Sequence, residues 1–191
     1  MKKYLVIGNP IEHSLSPQIH NHWFQENNIE AIYDKKKLMH DEIKDIISEV
    51  RNGKITGINV TVPFKRDVIP FLDKLSEESM VTQSVNTIYL ENNKVIGHNT
   101  DIFGFEKSLK TAKFDIRNKK ALILGAGGVV SSIIYSLEKG GASSIVISNR
   151  TRSKADELKK KFVNLNIIEW GTLPDFDIII NATSVGLNKK D

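Results

Sequence analysis

Lys120-Ala121-Leu122-Ile123-Leu124-Gly125-Ala126-Gly127-Gly128-Val129-Val130 is the stretch that decides the fold. A short apolar run stops at a glycine-rich turn, and a helical pattern follows to about Lys139. In that setting backbone N–H groups approach a phosphate at a helix N-terminus. The fingerprint is imperfect, because its third position is Val130 rather than Gly or Ala. A turn needed only for close packing is the competing reading. The strand–loop–helix context favours binding through Gly125, Ala126, Gly127 and Gly128.

The next strand, Ser144 to Ser148, runs into Asn149-Arg150-Thr151-Arg152-Ser153-Lys154, with no acid before Asp156. An acid at that strand end would hydrogen-bond the ribose 2′-OH of NAD. Arg150 and Lys154 instead suit a 2′-phosphate, the first as a planar fork and the second as a point charge. Thr151 adds a hydroxyl and is placed to cap the following helix. Cations are disfavoured at a helix N-terminus unless an anion joins them. The expected cofactor is NADP, held by Asn149, Arg150, Thr151 and Lys154 together with the glycine turn.

Towards the N-terminus, Lys3 to Gly8 reads as a buried strand. Pro17 to Asn27 reads as a helix with Ile19, Trp23 and Phe24 on one side. Ile32 to Leu38 is a second strand, Asp41 to Arg51 a helix ended by Asn52-Gly53, and Ile55 to Val62 a strand stopped by Pro63. Val85 to Leu90 and Lys94 to Gly97 form a hairpin. The alternation implies an α/β lobe with a mostly parallel sheet. Asp101 to Lys113 is helical, with Phe105 and Leu109 on one face, and it links the two lobes, the second α/β unit opening with the strand Lys119 to Leu124. Two domains are expected, 1–100 and 101–191, the second an incomplete Rossmann-type lobe. A doubly wound fold has about six strands, and strands are visible only at Lys119 to Leu124, Ser144 to Ser148, Val163 to Ile168 and Asp177 to Asn181.

Bulk composition excludes several classes. The 191 residues, 40% hydrophobic and 26% charged, are ordinary for a globular protein. No apolar run is long enough to span a bilayer, and the stretch after Met1-Lys2-Lys3 stops at Gly8-Asn9-Pro10, so a cytoplasmic protein is expected. There is no cysteine, and the five histidines show no metal-ligand spacing, so no metal site is expected. The formal charge is +4, but the lysine clusters lack interleaved aromatics, which argues against nucleic acid and for solvated faces. The expected partners are small molecules, with the chain a monomer or homodimer.

Chemistry concentrates in the first lobe. Ser16-Pro17 reads as an N-cap followed by proline, and with Ser14 it sets two hydroxyls at a helix N-terminus, a natural carboxylate site. Ile58-Asn59-Val60-Thr61-Val62-Pro63-Phe64-Lys65 and Gly97-His98-Asn99-Thr100-Asp101 place a lysine and an aspartate at strand ends among small polar residues. Oxidation of an alcohol needs a base and the reverse reaction an acid. An ordinary lysine, near ~10.4, is a ready donor and a poor base. Burial would lower that value, and an adjacent carboxylate would raise it.

With Gly8-Asn9-Pro10 and Ser14-Leu15-Ser16-Pro17, these motifs resemble shikimate dehydrogenase, in order from Tyr4 to Gly186. The resemblance implies reversible NADPH-dependent reduction of 3-dehydroshikimate to shikimate, towards chorismate and the aromatic amino acids. It implies that Ser14 and Ser16 bind the shikimate carboxylate, and that Thr61, Asn86 and Asp101 contact ring hydroxyls. Asn59 ranks below them as a backbone brace, and Thr100 as a cap. It makes Lys65 the acid/base residue, with Asp101 orienting it. Further strands and a returning helix are implied beyond Asp191, so a C-terminally truncated member is expected. The alternatives are an NAD-dependent quinate/shikimate dehydrogenase, or a non-catalytic NADP- or carboxylate-binding module.

Overall fold

A computed structural model describes residues 1–186, and the chain divides into two compact units, one of Met1–Thr100 and one beginning at Asp101. In the first unit, β1 (Lys2–Gly8) is buried from both faces, as its unbroken apolar run requires. Leu5 and Ile7 enter one core with Ile43, Ile46, Ile47 and Val50 of α2 (Ile43–Arg51). Those four are spaced i, i+3, i+4, i+7, a single helix face. Val6 points the other way, into a smaller cluster with Tyr33, Ile11 and Phe24. The second side is supplied by α1 (Ser16–Glu26) and β2 (Ala31–Lys37).

β3 (Gly57–Val60) pairs parallel with β1, and β5 (Thr87–Glu91) runs antiparallel to both β3 and β6 (Lys94–His98). The β5–β6 hairpin turns on Asn92 and Asn93, both at positive φ, a conformation asparagine tolerates. β4 (Lys74–Leu75) adds a parallel edge to β6, giving the order β2-β1-β3-β5-β6-β4.

The second unit starts with α4 (Asp101–Thr111) and then winds as β7 (Lys120–Leu124), α5 (Val130–Lys139), β8 (Ser144–Ser148), α6 (Arg152–Lys161), β9 (Leu165–Ile168) and β10 (Ile178–Asn181). Among its described residues four strands are all parallel, in the order β10-β7-β8-β9. The order reverses direction between β7 and β10, which is the switch point where such sheets bind ligands. Val130, Ile133, Ile134 and Leu137 of α5 are buried against β7 and β8, with Phe105 and Leu109 of α4 packed on the same core.

Three expectations need correction. Of the three apolar residues expected to pack from α1 only Phe24 does, its ring 5.6 Å from Tyr4, whereas Ile19 and Trp23 are 44% and 54% exposed. The row that packs is His20–Phe24, one residue round the helix from Ile19–Trp23. The strand expected from Ile55 is shorter, because the Ile55 N–H donates to the Glu49 carbonyl at the end of α2. α3 (Glu77–Thr82) was not anticipated, although Ser76 caps it by accepting the Ser79 N–H, with Glu77 and Glu78 in its first turn.

Candidate functional site

Register brings the first unit's candidates to one edge of its sheet. Ile7 pairs with Val60, Asn59 with Thr87, and Thr87 with His98. The carboxyl ends of β1, β3 and β6 and the start of β5 therefore coincide, and Asn9, Thr61, Asn86 and Thr100 lie just beyond them.

Asn86 is fixed there on both sides. Its Oδ1 accepts from the Thr100 N–H (3.0 Å) and the Thr87 hydroxyl (3.0 Å), and its Nδ2 donates to Thr100 Oγ1 (2.8 Å). Asn59 braces this edge: its Nδ2 donates to the Asn86 carbonyl and to Thr87 Oγ1, both at 3.2 Å. Asn99, 2% exposed, is structural, donating to the Ser84 carbonyl and Thr82 Oγ1. Thr61 is half-buried and its hydroxyl has no partner among the described residues. Lys65, half-buried in the turn after β3, is held through its carbonyl, which accepts the Val85 N–H at 2.8 Å.

The loop from Asn9 to Leu15 carries Ser14. Its hydroxyl oxygen accepts the Ser16 N–H (3.3 Å), and its own N–H donates to the Ile11 carbonyl (3.0 Å). The helix begins at Ser16, with Leu15 in the cap position and no side-chain cap, so Ser16 is not the N-cap that its place before Pro17 suggested. Ser14 satisfies the Ser16 N–H from the loop ahead of the cap and keeps its own O–H as a donor. Glu12 secures the loop, its carboxylate taking the Ile11 N–H and pairing with Lys37 at 3.3 Å. Backbone N–H donation, its own first and then that of Ile11, holds this carboxyl below its ordinary value, and Lys37 adds to it.

Asp101, placed beside Lys65 by the sequence, belongs to the second unit, as the first residue of α4. A carboxylate is favoured at that helix terminus.

In the second unit the glycine turn follows β7 at the switch point. Gly125 has φ +104°, and a Cβ there would lie 2.8 Å from the Ala182 carbonyl oxygen beyond β10, so packing alone demands glycine. Gly127 is different: a Cβ would meet nothing nearer than 3.8 Å. Its missing side chain leaves backbone open rather than relieving a clash, which is what a pyrophosphate needs. No side chain caps α5, whose first turn follows Gly127, Gly128 and Val129.

Asn149, Arg150, Thr151 and Lys154 follow the carboxyl end of β8. Asn149 Nδ2 donates to the Thr151 carbonyl at 2.7 Å. Thr151 occupies the cap position of α6 but makes no side-chain cap bond, so its hydroxyl is not spent on the helix. Arg152 pairs with Asp156 (3.2 Å) and Glu169 (2.8 Å). Arg150 and Lys154 are exposed and have no ion pair among the described residues. Lys154 in the first turn of α6 and Arg150 just ahead of its cap set two cations where a helix terminus favours an anion. No group of acids and histidines among the described residues could hold a metal, and none of their helices is long and apolar enough to cross a membrane.

Known proteins share this arrangement. A model of the shikimate dehydrogenase substrate binding domain matches residues 6–88, and one of shikimate / quinate 5-dehydrogenase matches residues 107–187. A shikimate dehydrogenase (NADP(+)) of Pelagibacter ubique is 58% identical over 190 residues, covering 100% of this chain and 72% of the relative. Shikimate dehydrogenase from Aquifex aeolicus superposes with a TM-score of 0.91 at 39% identity, over 100% of this chain and 72% of that one. Shikimate 5-dehydrogenase from Thermus thermophilus, solved in complex with NADP(H) and shikimate, gives 0.86 at 30% identity, over 98% and 70%. At that identity and coverage the conclusion is direct: the chain belongs to the shikimate dehydrogenase family.

Proposed function

We propose that this chain catalyses the reversible NADPH-dependent reduction of 3-dehydroshikimate to shikimate, on the route to chorismate and the aromatic amino acids. One observation carries the reading: each unit gathers its candidate groups at the carboxyl ends of its own parallel strands, hydroxyls and amides in the first, an open glycine turn and unpaired cations in the second. The first unit then takes the substrate and the second the dinucleotide.

The chain's residues divide the work. Ser14 and Ser16 bind the carboxylate, and Thr61 and Asn86 hold ring hydroxyls. Gly125, Ala126, Gly127 and Gly128 line the pyrophosphate turn. Arg150, Thr151 and Lys154, with Asn149 holding the loop, bind the 2′-phosphate that separates NADP from NAD. When bound, NADPH supplies the hydride for the ketone carbon. Lys65 gives a proton to the ketone oxygen and recovers it in the reverse direction, and Asp101 is the second catalytic residue.

The test is a steady-state assay of shikimate oxidation by the whole natural polypeptide with NADP⁺ and with NAD⁺. Arg150→Ala should raise KM for NADP⁺ about tenfold or more while leaving the NAD⁺ rate nearly unchanged. Lys65→Ala should lower turnover about 10²–10⁴-fold, with a smaller change in KM for shikimate. Equal use of both cofactors by the unaltered protein would refute the NADP assignment. Normal turnover of the lysine variant would remove Lys65 from its role.

A further inference from the structure

Tyr33 lies on β2, away from every motif that points to the site, yet it is 3% exposed and meets α1, β1 and β3 of the first unit. Its backbone is stapled to α1: the Asn21 Nδ2 donates to the Tyr33 carbonyl and the Tyr33 N–H donates to Asn21 Oδ1, both at 2.8 Å. A side-chain amide here imitates the strand partner that the sheet edge lacks. The Tyr33 ring stacks on His20, also of α1, with centroids 4.2 Å apart and planes within 8°. Its hydroxyl donates to Asn59 Oδ1 on β3 at 2.7 Å. From Asn59 the chain of bonds runs through Nδ2 to the Asn86 carbonyl and the Thr87 hydroxyl, and from there to Asn86 Oδ1 and Thr100. Ser16 is a further hydrogen-bond partner of the same phenol.

We propose that Tyr33 is a positioning residue for the reaction, tying the helix that carries Ser16 to the strand edge that presents Thr61 and Asn86. The proposal rests on the substrate roles given above. Shikimate must be met at its carboxylate and at its ring hydroxyls together, and a misplacement of ~1 Å between two sets of contacts can cost ~10²-fold. The sheet does not tie α1 directly to β3. One phenol spans that gap, bonded through its hydroxyl to one side and held by its ring and backbone on the other. The Asn59 side chain needs the bond as well: its Oδ1 accepts from Tyr33 while its Nδ2 is committed to Asn86 and Thr87. With that acceptor unsatisfied, the amide loses one of its three bonds and is held against Asn86 and Thr87 by Nδ2 alone.

Tyr33→Phe in the whole natural polypeptide keeps the ring and its stack on His20 and removes only the hydroxyl. KM for shikimate should rise about 5–150-fold, the range expected for an orphaned buried acceptor. The turnover number should stay within about threefold and KM for NADP⁺ should not move, because the dinucleotide is held elsewhere. Asn59→Ala should give the same split, and the double variant should be no worse than Asn59→Ala alone. An unchanged KM for shikimate in Tyr33→Phe overturns the proposal. So does a general loss that shifts turnover and both KM values together, or a double variant whose defects multiply. If Tyr33→Phe does not fold, Asn59→Ala carries the test by the same criterion. Failure of the unaltered polypeptide to oxidise shikimate at all would overturn the functional reading instead, so the two failures are distinct.

Discussion

The stacked pair His20 and Tyr33 shows what single residues contribute beyond their contacts. Burial lowers the imidazole below its ordinary value of 6.5 and lifts the phenol from 10.0 to about 12, a rise that the Ser16 hydrogen bond partly offsets. Both shifts favour the neutral form of the folded protein, and their pH windows are opposite. The contribution of His20 is complete above pH 6.5 and is lost as pH falls towards its lowered folded value. The contribution of Tyr33 is complete below pH 10.0 and is lost as pH rises through about 12. For the buried tyrosine this amounts to about 2–3 kcal/mol. Urea denaturation at a series of pH values should therefore show the gap between wild type and Tyr33→Phe constant up to about pH 9 and narrowing above 10. The gap to His20→Phe should change only on the acid side. A Tyr33→Phe gap that stays constant through pH 11 would contradict the assigned shift.

At the scale of elements, the strand–turn–helix at β7 and α5 uses two glycines for different reasons. Gly125 is required by the fold: a positive φ and a 2.8 Å approach to the Ala182 carbonyl leave no room for a methyl group. Gly125→Ala should cost about 1–3 kcal/mol or more, lowering the melting temperature with or without ligand. Gly127 is not required by the fold, since its space is open to 3.8 Å. Gly127→Ala should melt close to the wild type on its own and lose most of the stabilisation that NADPH confers. Differential scanning fluorimetry with and without NADPH separates the two. A Gly127→Ala protein stabilised by NADPH as strongly as the wild type would mean that the pyrophosphate does not approach that backbone.

Among the described residues the two large hydrophobic cores fall one in each unit, one centred on Ile7, Ile46 and Ile58, the other on Ile123, Ile134 and Ile147. The two tryptophans, Trp23 and Trp170, fall one in each unit. Both are half-exposed, so replacing either with phenylalanine should disturb the fold little, and each single-tryptophan protein reports on one unit. Emptying a core position costs about 2–5 kcal/mol. Ile46→Ala should shift the denaturation midpoint seen by Trp23, and Ile134→Ala that seen by Trp170. If either substitution moves both transitions equally, the units unfold as one cooperative body.

The sequence by itself determined the fold class, the order of most elements and the family. Those depend on local signals: an apolar run before Gly125, the absence of an acid between Ser148 and Asp156, Asn92-Asn93 between two β-branched runs. Tertiary structure alone decided which groups share an edge, because register, not spacing, sets Thr61, Asn86 and Thr100 side by side across strands far apart in the chain. It also decided which face of α1 is buried, since the more apolar row, Ile19–Trp23, is left exposed and β1 and β2 take His20–Phe24 instead. Tyr33 was illegible for the same reason: in the sequence it is one aromatic residue in a lysine-rich strand. Only the folded chain brings Asn21, His20 and Asn59 around it, and a hydrogen bond between residues 33 and 59 leaves no trace in the spacing of either.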